Sequence, residues 1–459
     1  MTAPVFDNAL EMIGDTPLVR IASIDTGPCE LFVKLENQNP TGSIKDRIAK
    51  AMIEAAERDG QLGPGGTLVE GTAGNTGLGL AVVAKQKGYR CIVVVPDKMA
   101  QEKIFHLKAL GAEVHVTRSD VGKGHPEYYQ DMAERIAGEE NGYYINQFGN
   151  PANPLAHETT TGPEIWAQMD GRVDAVVSGV GSGGTITGLS RYFERTAPQT
   201  EMVVADPDGS VIAPYVRDGR LPEEIGSWII EGIGEDFLPP VLDLSRVRTA
   251  YAIPDKESLL TAREVLEKEG ILGGSSSGTL VAGALRYCRE QTEPKRVVTF
   301  ICDSGNKYLS KMYNDYWMLD QGFIGREQTG DLRDLIARRH AERGTVIAKP
   351  ADTLAAALRR MKLYDVSQLP VLDHRGNVVG LLDEEDILIA VTRDERDFDA
   401  PVERVMCSRL DTVAPDASIE ELLAIFARGH VAIVVGADET FHGLITRVDL
   451  LNHLRRQRT

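Results

Sequence analysis

From about residue 44 to 310, short β-branched runs alternate with helix-length amphipathic segments, a rhythm that confines the chain to an α/β fold with mostly parallel sheets. The runs are TLVEG (67–71), CIVVVPD (91–97), AEVHVTR (112–118), DAVVSGV (174–180), EMVVADPD (201–208) and RVVTFICD (296–303). Glycine-rich turns follow several of them, and in such sheets ligands bind beyond the carboxyl ends of the strands. The rhythm breaks at 322–333, GFIGREQTGDLR, and an internal repeat follows. TVIAKPADTLAAALRRM (345–361) is answered by DTVAPDASIEELLAIF (411–426), and LPVLDHRGNVVGLLDEEDIL by AIVVGADETFHGLITRVDLL. Each unit reads helix, strand, strand, helix. Leu354, Leu358 and Met361, like Ile419, Leu422, Leu423 and Phe426, form an apolar helical face that one unit cannot bury alone, so the two copies are expected to pack together.

Composition removes several classes of function. A formal net charge of -18 opposes non-specific binding to nucleic acid or to an anionic membrane surface. Five scattered cysteines with no C-x-x-C pair fit reduced thiols in a cytoplasm, with neither a disulfide framework nor a zinc site. No metal is expected. The start, MTAPVFDNALEMIGDTP, lacks a signal-peptide pattern, and the longest apolar runs are too short to span a bilayer.

Chemistry concentrates in four stretches. In NPTGSIKDRIAKAM (39–52), Ser43 and Asp46 have the capping-box form, which starts a helix near Ser43 and puts Lys45 in its first turn. A cation there opposes the helix dipole, so the position suits a neutral amine; an exposed surface lysine is the alternative. EGTAGNTGLGLA (70–81) offers backbone N–H groups and the side chains of Thr72, Asn75 and Thr76 at a helix start. GVGSGGTITG (179–188) satisfies G-x-G-x-x-G through Gly179, Gly181 and Gly184, and with Asp206 about twenty residues on it admits a nicotinamide-dinucleotide dehydrogenase. Its run of small residues before Thr185 suits a compact terminal phosphate better. ILGGSSSGTLVAGAL (271–285) is another hydroxyl-rich turn into a helix, which simple N-caps would also explain. Together these pieces ask for a phosphate, an aromatic heteroatom and an aldehyde to capture Lys45, and pyridoxal phosphate has all three.

IGDTPLVRI, NPTGSIKDRI, GTAGNTG, QFGNPANP, GVGSGGTITG, EGIGEDF and GGSSSGT run in an order that resembles the fold-type II pyridoxal-phosphate enzymes, the tryptophan synthase β family. Within that family ADPDGSVI, IEGIGEDFLPPVLD and DYWMLDQGF are most similar to the cystathionine β-synthases. The repeat resembles a tandem pair of CBS domains, a Bateman module, and agrees with that branch. The resemblance implies a catalytic domain at 1–322 with two subdomains, the smaller and mobile one at about 45–145, a linker at 323–334, and CBS domains at 335–397 and 398–459.

By that resemblance Lys45 matches the Schiff-base lysine, Asn75 the partner of the cofactor's 3-hydroxyl, Gly181, Ser182, Gly183, Gly184 and Thr185 the phosphate cradle, and Ser276 the serine facing the pyridine nitrogen. Thr72, Ala73, Gly74, Asn75, Thr76 and Gln147 fall on the substrate-carboxylate loop, and Gly232 and Tyr308 on segments that close the site. Two departures are Ala73, where many relatives carry serine, and Phe148, where several cystathionine synthases carry tyrosine. The implied reaction joins L-serine to L-homocysteine through an aminoacrylate, with hydrogen sulfide release from cysteine as a further activity. O-acetylserine sulfhydrylase is the alternative within the family, and an adenosyl-ligand sensor with a vestigial catalytic fold the alternative outside it. In the second repeat, Thr446 and Asp449 match the CBS pattern that binds an adenosyl ribose, making S-adenosylmethionine or an adenine nucleotide a candidate. Asp383 and Asp386 in the first repeat would repel a phosphate, so one competent site is expected. A homo-oligomer, dimer or tetramer, is expected, and no haem.

Overall fold

In the computed structural model the described residues are 5–72, 74–97, 99 and 101–456, without the side chains of Glu395 and Arg456. The chain divides into two compact units, Met1–Tyr313 and Asn314–Thr459.

The first unit holds two sheets. The larger runs in the order Leu18–Arg20, Glu30–Leu35, Arg296–Ile301, Ala175–Ser178, Glu201–Pro207, Val247–Ile253, parallel throughout except for its first pair. The smaller runs Glu113–Thr117, Arg90–Pro96, Thr67–Gly71, Tyr143–Tyr144, all parallel. All six expected runs are strands. Five of them are buried on both faces past their first residue, which is why they read as continuous apolar runs, whereas the edge strand Glu113–Thr117 is mostly half-exposed and read through its alternating valines. Val247–Ile253, the edge strand of the larger sheet, is not among the expected runs; it stays half-exposed and carries Arg248.

Helix Lys45–Arg58 packs on helix Asn75–Lys87 over the smaller sheet. Ile48, Met52, Ile53 and Leu78 are fully buried there, each contributing about 1.5–3 kcal/mol relative to exposure. A Cβ on Gly79 would lie 3.0 Å from that of Ala49 and 3.1 Å from the Lys45 carbonyl oxygen, so a glycine is what lets the two helices approach.

The second unit contains both repeats. The first is helix Leu354–Tyr364, strands Gln368–Leu372 and Val378–Asp383, and helix Glu384–Arg393; the second is helix Ile419–Ala427, strands Ala432–Val435 and Phe441–Ile445, and helix Arg447–Arg456. Leu372 of the first buries with Ile433 and Phe441 of the second. Leu332, Leu335 and Ile336 reach into the core of the second repeat, beside Leu422 and Phe426. Among the described residues no helix is long and apolar enough to cross a membrane.

Candidate active site

Lys45 is placed by a short pairing of two chain segments. The Ile44 N–H donates to the Cys302 carbonyl at 2.9 Å, and the Ser304 N–H to the Gly42 carbonyl at 3.0 Å, with Ser43 opposite Asp303. Gly42 turns the chain at φ +74°. The helix begins at Lys45 with Ile44 at its cap, so the expected capping box is corrected. Asp46 instead turns back to accept the N–H of Thr41 at 2.7 Å and its hydroxyl, while Ser43 Oγ accepts the Lys45 N–H at 3.3 Å. The hydroxyl-rich turn thus closes on itself, and the Lys45 side chain borders a cleft. Burial lowers its pKa, against the opposing pull of Asp303 and Glu235, which favours the neutral amine.

The cleft is lined by Lys45, Cys302, Phe300 and Ile233 with Ser178, Gly179, Gly181, Ser182, Gly183 and Thr185. The last six follow strand Ala175–Ser178 or end it, and lead into helix Gly184–Thr196. Space dictates the glycines. A Cβ on Gly181 would meet the Gly232 carbonyl oxygen at 2.5 Å, one on Gly184 would overlap the Asn153 amide, and Gly183 caps the helix at φ +85°. Backbone N–H groups at this helix start form an anion-binding concavity. Asp206 does not face it as a ribose ligand would. Its Oδ2 accepts the Ala213 N–H at 2.9 Å, and burial pushes the carboxyl up to about 7. The dinucleotide alternative loses its acidic partner.

The described residues of the loop after strand Thr67–Gly71, on the other sheet, do not line this cleft but are tied to the chain beside Cys302 through Asn75 and Asp303. Thr72 Oγ1 accepts the Gly74 N–H at 3.2 Å, and the Thr76 hydroxyl donates to Gln147 Oε1 at 2.7 Å. Gln147 Nε2 donates to Glu70 at 3.3 Å, a carboxyl that burial pushes up to about 8. Asn75 donates to Asp303 Oδ2 at 2.8 Å and accepts from Lys307 at 2.7 Å. The Tyr308 hydroxyl donates to the same Asp303 oxygen at 2.8 Å. Lys103 lies 3.3 Å from that hydroxyl and pairs with Glu231, next to Gly232, which turns at φ +89°. Ser276 is buried near Cys302, whose thiol burial pushes up to about 12 against the opposing influence of the Ser276 hydroxyl and Lys45. Ala73 lies outside the described residues.

Asp303, Lys307, Lys103, Asn153 and His157 are site neighbours that sequence reasoning missed. CDSGNKY, a hydroxyl-and-glycine turn after strand Arg296–Ile301, carries the same signal as the other loops and reveals Asp303 and Lys307. Lys103 reads as an ordinary helix-surface lysine and gives no signal.

His157 Nε2 lies 3.2 Å from Thr185 Oγ1, and Nδ1 lies 2.9 Å from Thr161 Oγ1. Burial holds its pKa down at about 3, helped by Arg47 and Lys45 and opposed by Glu36 and Glu164. Because the unfolded imidazole titrates near 6.5, the folded state binds fewer protons between these values and loses stability as pH falls through them. The group contributes a slope of about 1.4 kcal/mol per pH unit at most. Denaturant unfolding at several pH values should show a shallower acid loss for His157→Asn; an identical acid slope would contradict this.

In the second unit, Asp449 Oδ2 accepts the Thr446 N–H at 2.7 Å and its hydroxyl at 2.6 Å, at the start of helix Arg447–Arg456. Asp383 and Asp386 form a complete capping box in the first repeat. Both pairs therefore have a structural use.

Residues 9–303 match the family of pyridoxal-phosphate dependent enzymes, and residues 336–393 and 402–456 each match the CBS domain. Fold and site thus define a pyridoxal-phosphate dependent enzyme. The chain is 36% identical over 464 residues to the cystathionine beta-synthase of Dictyostelium discoideum, covering 98% of this chain and 92% of that protein. It is 40% identical over 308 residues to the cysteine synthase of Staphylococcus aureus, covering 66% and 96%. A solved hydrogen sulfide-producing enzyme from Fusobacterium nucleatum matches with a TM-score of 0.62 at 35% identity, covering 66% of this chain and 100% of that one. The chain belongs to the cystathionine beta-synthase family, and its cofactor is pyridoxal phosphate.

Proposed function

We propose that the protein condenses L-serine with L-homocysteine to L-cystathionine and water, and releases hydrogen sulfide when cysteine replaces serine. The observation that carries this is the Lys45 amine, held toward its neutral form at the wall of the cleft that contains the glycine loop. The residues present fit the cofactor, because the Lys45 amine and the glycine loop line one cleft. Lys45 would provide the amine for its aldehyde, the 181–185 loop N–H and hydroxyl groups would hold its phosphate, Asn75 would hydrogen-bond its 3-hydroxyl, and Ser276 would be the neutral partner of its ring nitrogen.

Bound there, pyridoxal phosphate supplies an electron sink for the Cα–H bond and so labilises the β-substituent. Lys45 removes the proton from serine Cα and passes it to the departing β-hydroxyl, which leaves as water; it then takes the thiol proton of homocysteine and returns it to Cα once the sulfur has added at Cβ. Thr72, Ala73, Gly74, Asn75 and Thr76 with Gln147 hold the serine carboxylate. Gly232 and Tyr308 close the cleft against water. With a neutral hydroxyl in place of a carboxylate at the ring nitrogen, β-replacement is favoured over transamination.

A visible absorption scan tests this reading. L-serine should change the spectrum of the yellow protein and L-homocysteine should restore it; a response to O-acetylserine alone would transfer the assignment to cysteine synthesis.

The reading extends to a cytoplasmic homo-oligomer, dimer or tetramer, supported by exposed Leu363, Leu388, Leu423, Val448 and Leu451 on the helices of the repeat pair. It also assigns Thr446 and Asp449 to an adenosyl ligand, S-adenosylmethionine or an adenine nucleotide. Calorimetry with S-adenosylmethionine should give an isotherm that weakens about tenfold or more in Asp449→Asn, a change that keeps the cap's shape and removes its charge. An unchanged isotherm would remove Asp449 from this role.

A further inference from the structure

Asn153 makes two hydrogen bonds that no role assigned above uses. It lies in helix Ala152–Ala156 and is 1% exposed. Its Nδ2 donates to the Gln147 backbone oxygen at 2.8 Å and to the Ser182 hydroxyl at 2.9 Å. Gln147 follows the edge strand Tyr143–Tyr144 of the smaller sheet, whereas Ser182 belongs to the loop after a central strand of the larger one. One amide therefore spans loops that come from different sheets.

That amide is packed against the helix start. Its Oδ1 is buried without a partner among the described residues, and a Cβ on Gly184 would come within 1.8 Å of it, so only a glycine at 184 leaves it room. One turn on, His157 makes the corresponding contact to Thr185, and a Cβ on Gly188 would collide with the Pro154 carbonyl oxygen at 2.2 Å. The segment 152–161 is in this sense the floor of the glycine loop.

We propose that Asn153 is a positioning residue that couples the cofactor's phosphate cradle to the amino-acid site. This rests on the reading above that Gly181–Thr185 hold the phosphate and that Gln147 borders the substrate. Removing the amide leaves the Gln147 carbonyl and the Ser182 hydroxyl both short of a buried partner, so both loops should loosen together.

The test uses the full chain with its cofactor. Pyridoxal phosphate is titrated into the apoprotein and followed by phosphorus resonance and absorbance; the serine KM is then measured at saturating cofactor. Asn153→Leu should raise the cofactor Kd and the serine KM, each about tenfold, while kcat changes less. Ser182→Ala breaks the bond from the loop side and should also raise the serine KM. In serine KM the double variant should be no worse than Asn153→Leu alone. An Asn153→Leu protein that loses cofactor affinity alone, or a double variant whose effects on serine KM multiply, would overturn the coupling. Should Asn153→Leu fail to fold, Ser182→Ala decides by itself: a raised serine KM supports the coupling and an unchanged one overturns it. Wild-type protein that bound no pyridoxal phosphate would strike instead at the reading on which this rests.

Discussion

Lys45→Ala should abolish cystathionine formation, lowering turnover by at least about a thousandfold. The effect is large because one amine serves as anchor for the cofactor aldehyde, base at Cα and acid at the leaving group. Among the described residues neither nearby lysine is free to take its place. Lys307 is engaged with the Asn75 amide and the Gly42 carbonyl, and Lys103 is paired with Glu231. Near-normal turnover would overturn the mechanism. Mass spectrometry adds a second readout, since borohydride reduction should fix the cofactor to a peptide containing Lys45 in the wild type and leave the variant unlabelled.

Gly181→Ala should weaken pyridoxal phosphate binding by about ten- to a hundredfold. The added methyl would sit 2.5 Å from the Gly232 carbonyl oxygen, which is backbone and has no rotamer to relieve the contact. The 181–185 loop must then move away from Gly232, and its N–H groups leave the positions a phosphate would use. Gly122→Ala is the control, because a Cβ there meets nothing within 4 Å. Equal cofactor affinity in both variants, measured by equilibrium titration, would show that the loop's spacing does not set the binding.

The strands that frame this site were legible because central parallel strands are buried on both faces and cannot avoid reading as β-branched runs. Val247–Ile253 escaped because an edge strand is free to carry Arg248 and half-exposed side chains. The loops were legible for a different reason. Close approach of the Gly232 backbone at Gly181, of Leu242 at Gly183 and of the Asn153 amide at Gly184 excludes any side chain there, so glycine spacing records the geometry directly.

What stayed hidden is the layer behind those loops. Asn153 and His157 act through side-chain contacts to residues about thirty positions away; QFGNPANP carries family resemblance, but nothing local in NPANPLAH marks either side chain as a partner of the glycine loop. Asp46 was misread for a related reason. The sequence offers it a local cap with Ser43, but the fold uses its carboxylate to close the Thr41 turn. The Thr446 and Asp449 pattern was also visible, and its hydrogen bonds supply a helix cap whether or not a ligand binds.

The most direct test of the central claim is the product formed from L-serine and L-homocysteine in deuterated water, identified by mass spectrometry. We expect cystathionine in large molar excess over the protein, carrying one deuteron at the Cα of the serine-derived half, where Lys45 returns the proton. Absence of cystathionine, with cysteine formed instead from O-acetylserine and sulfide, would contradict the account and make the protein a cysteine synthase.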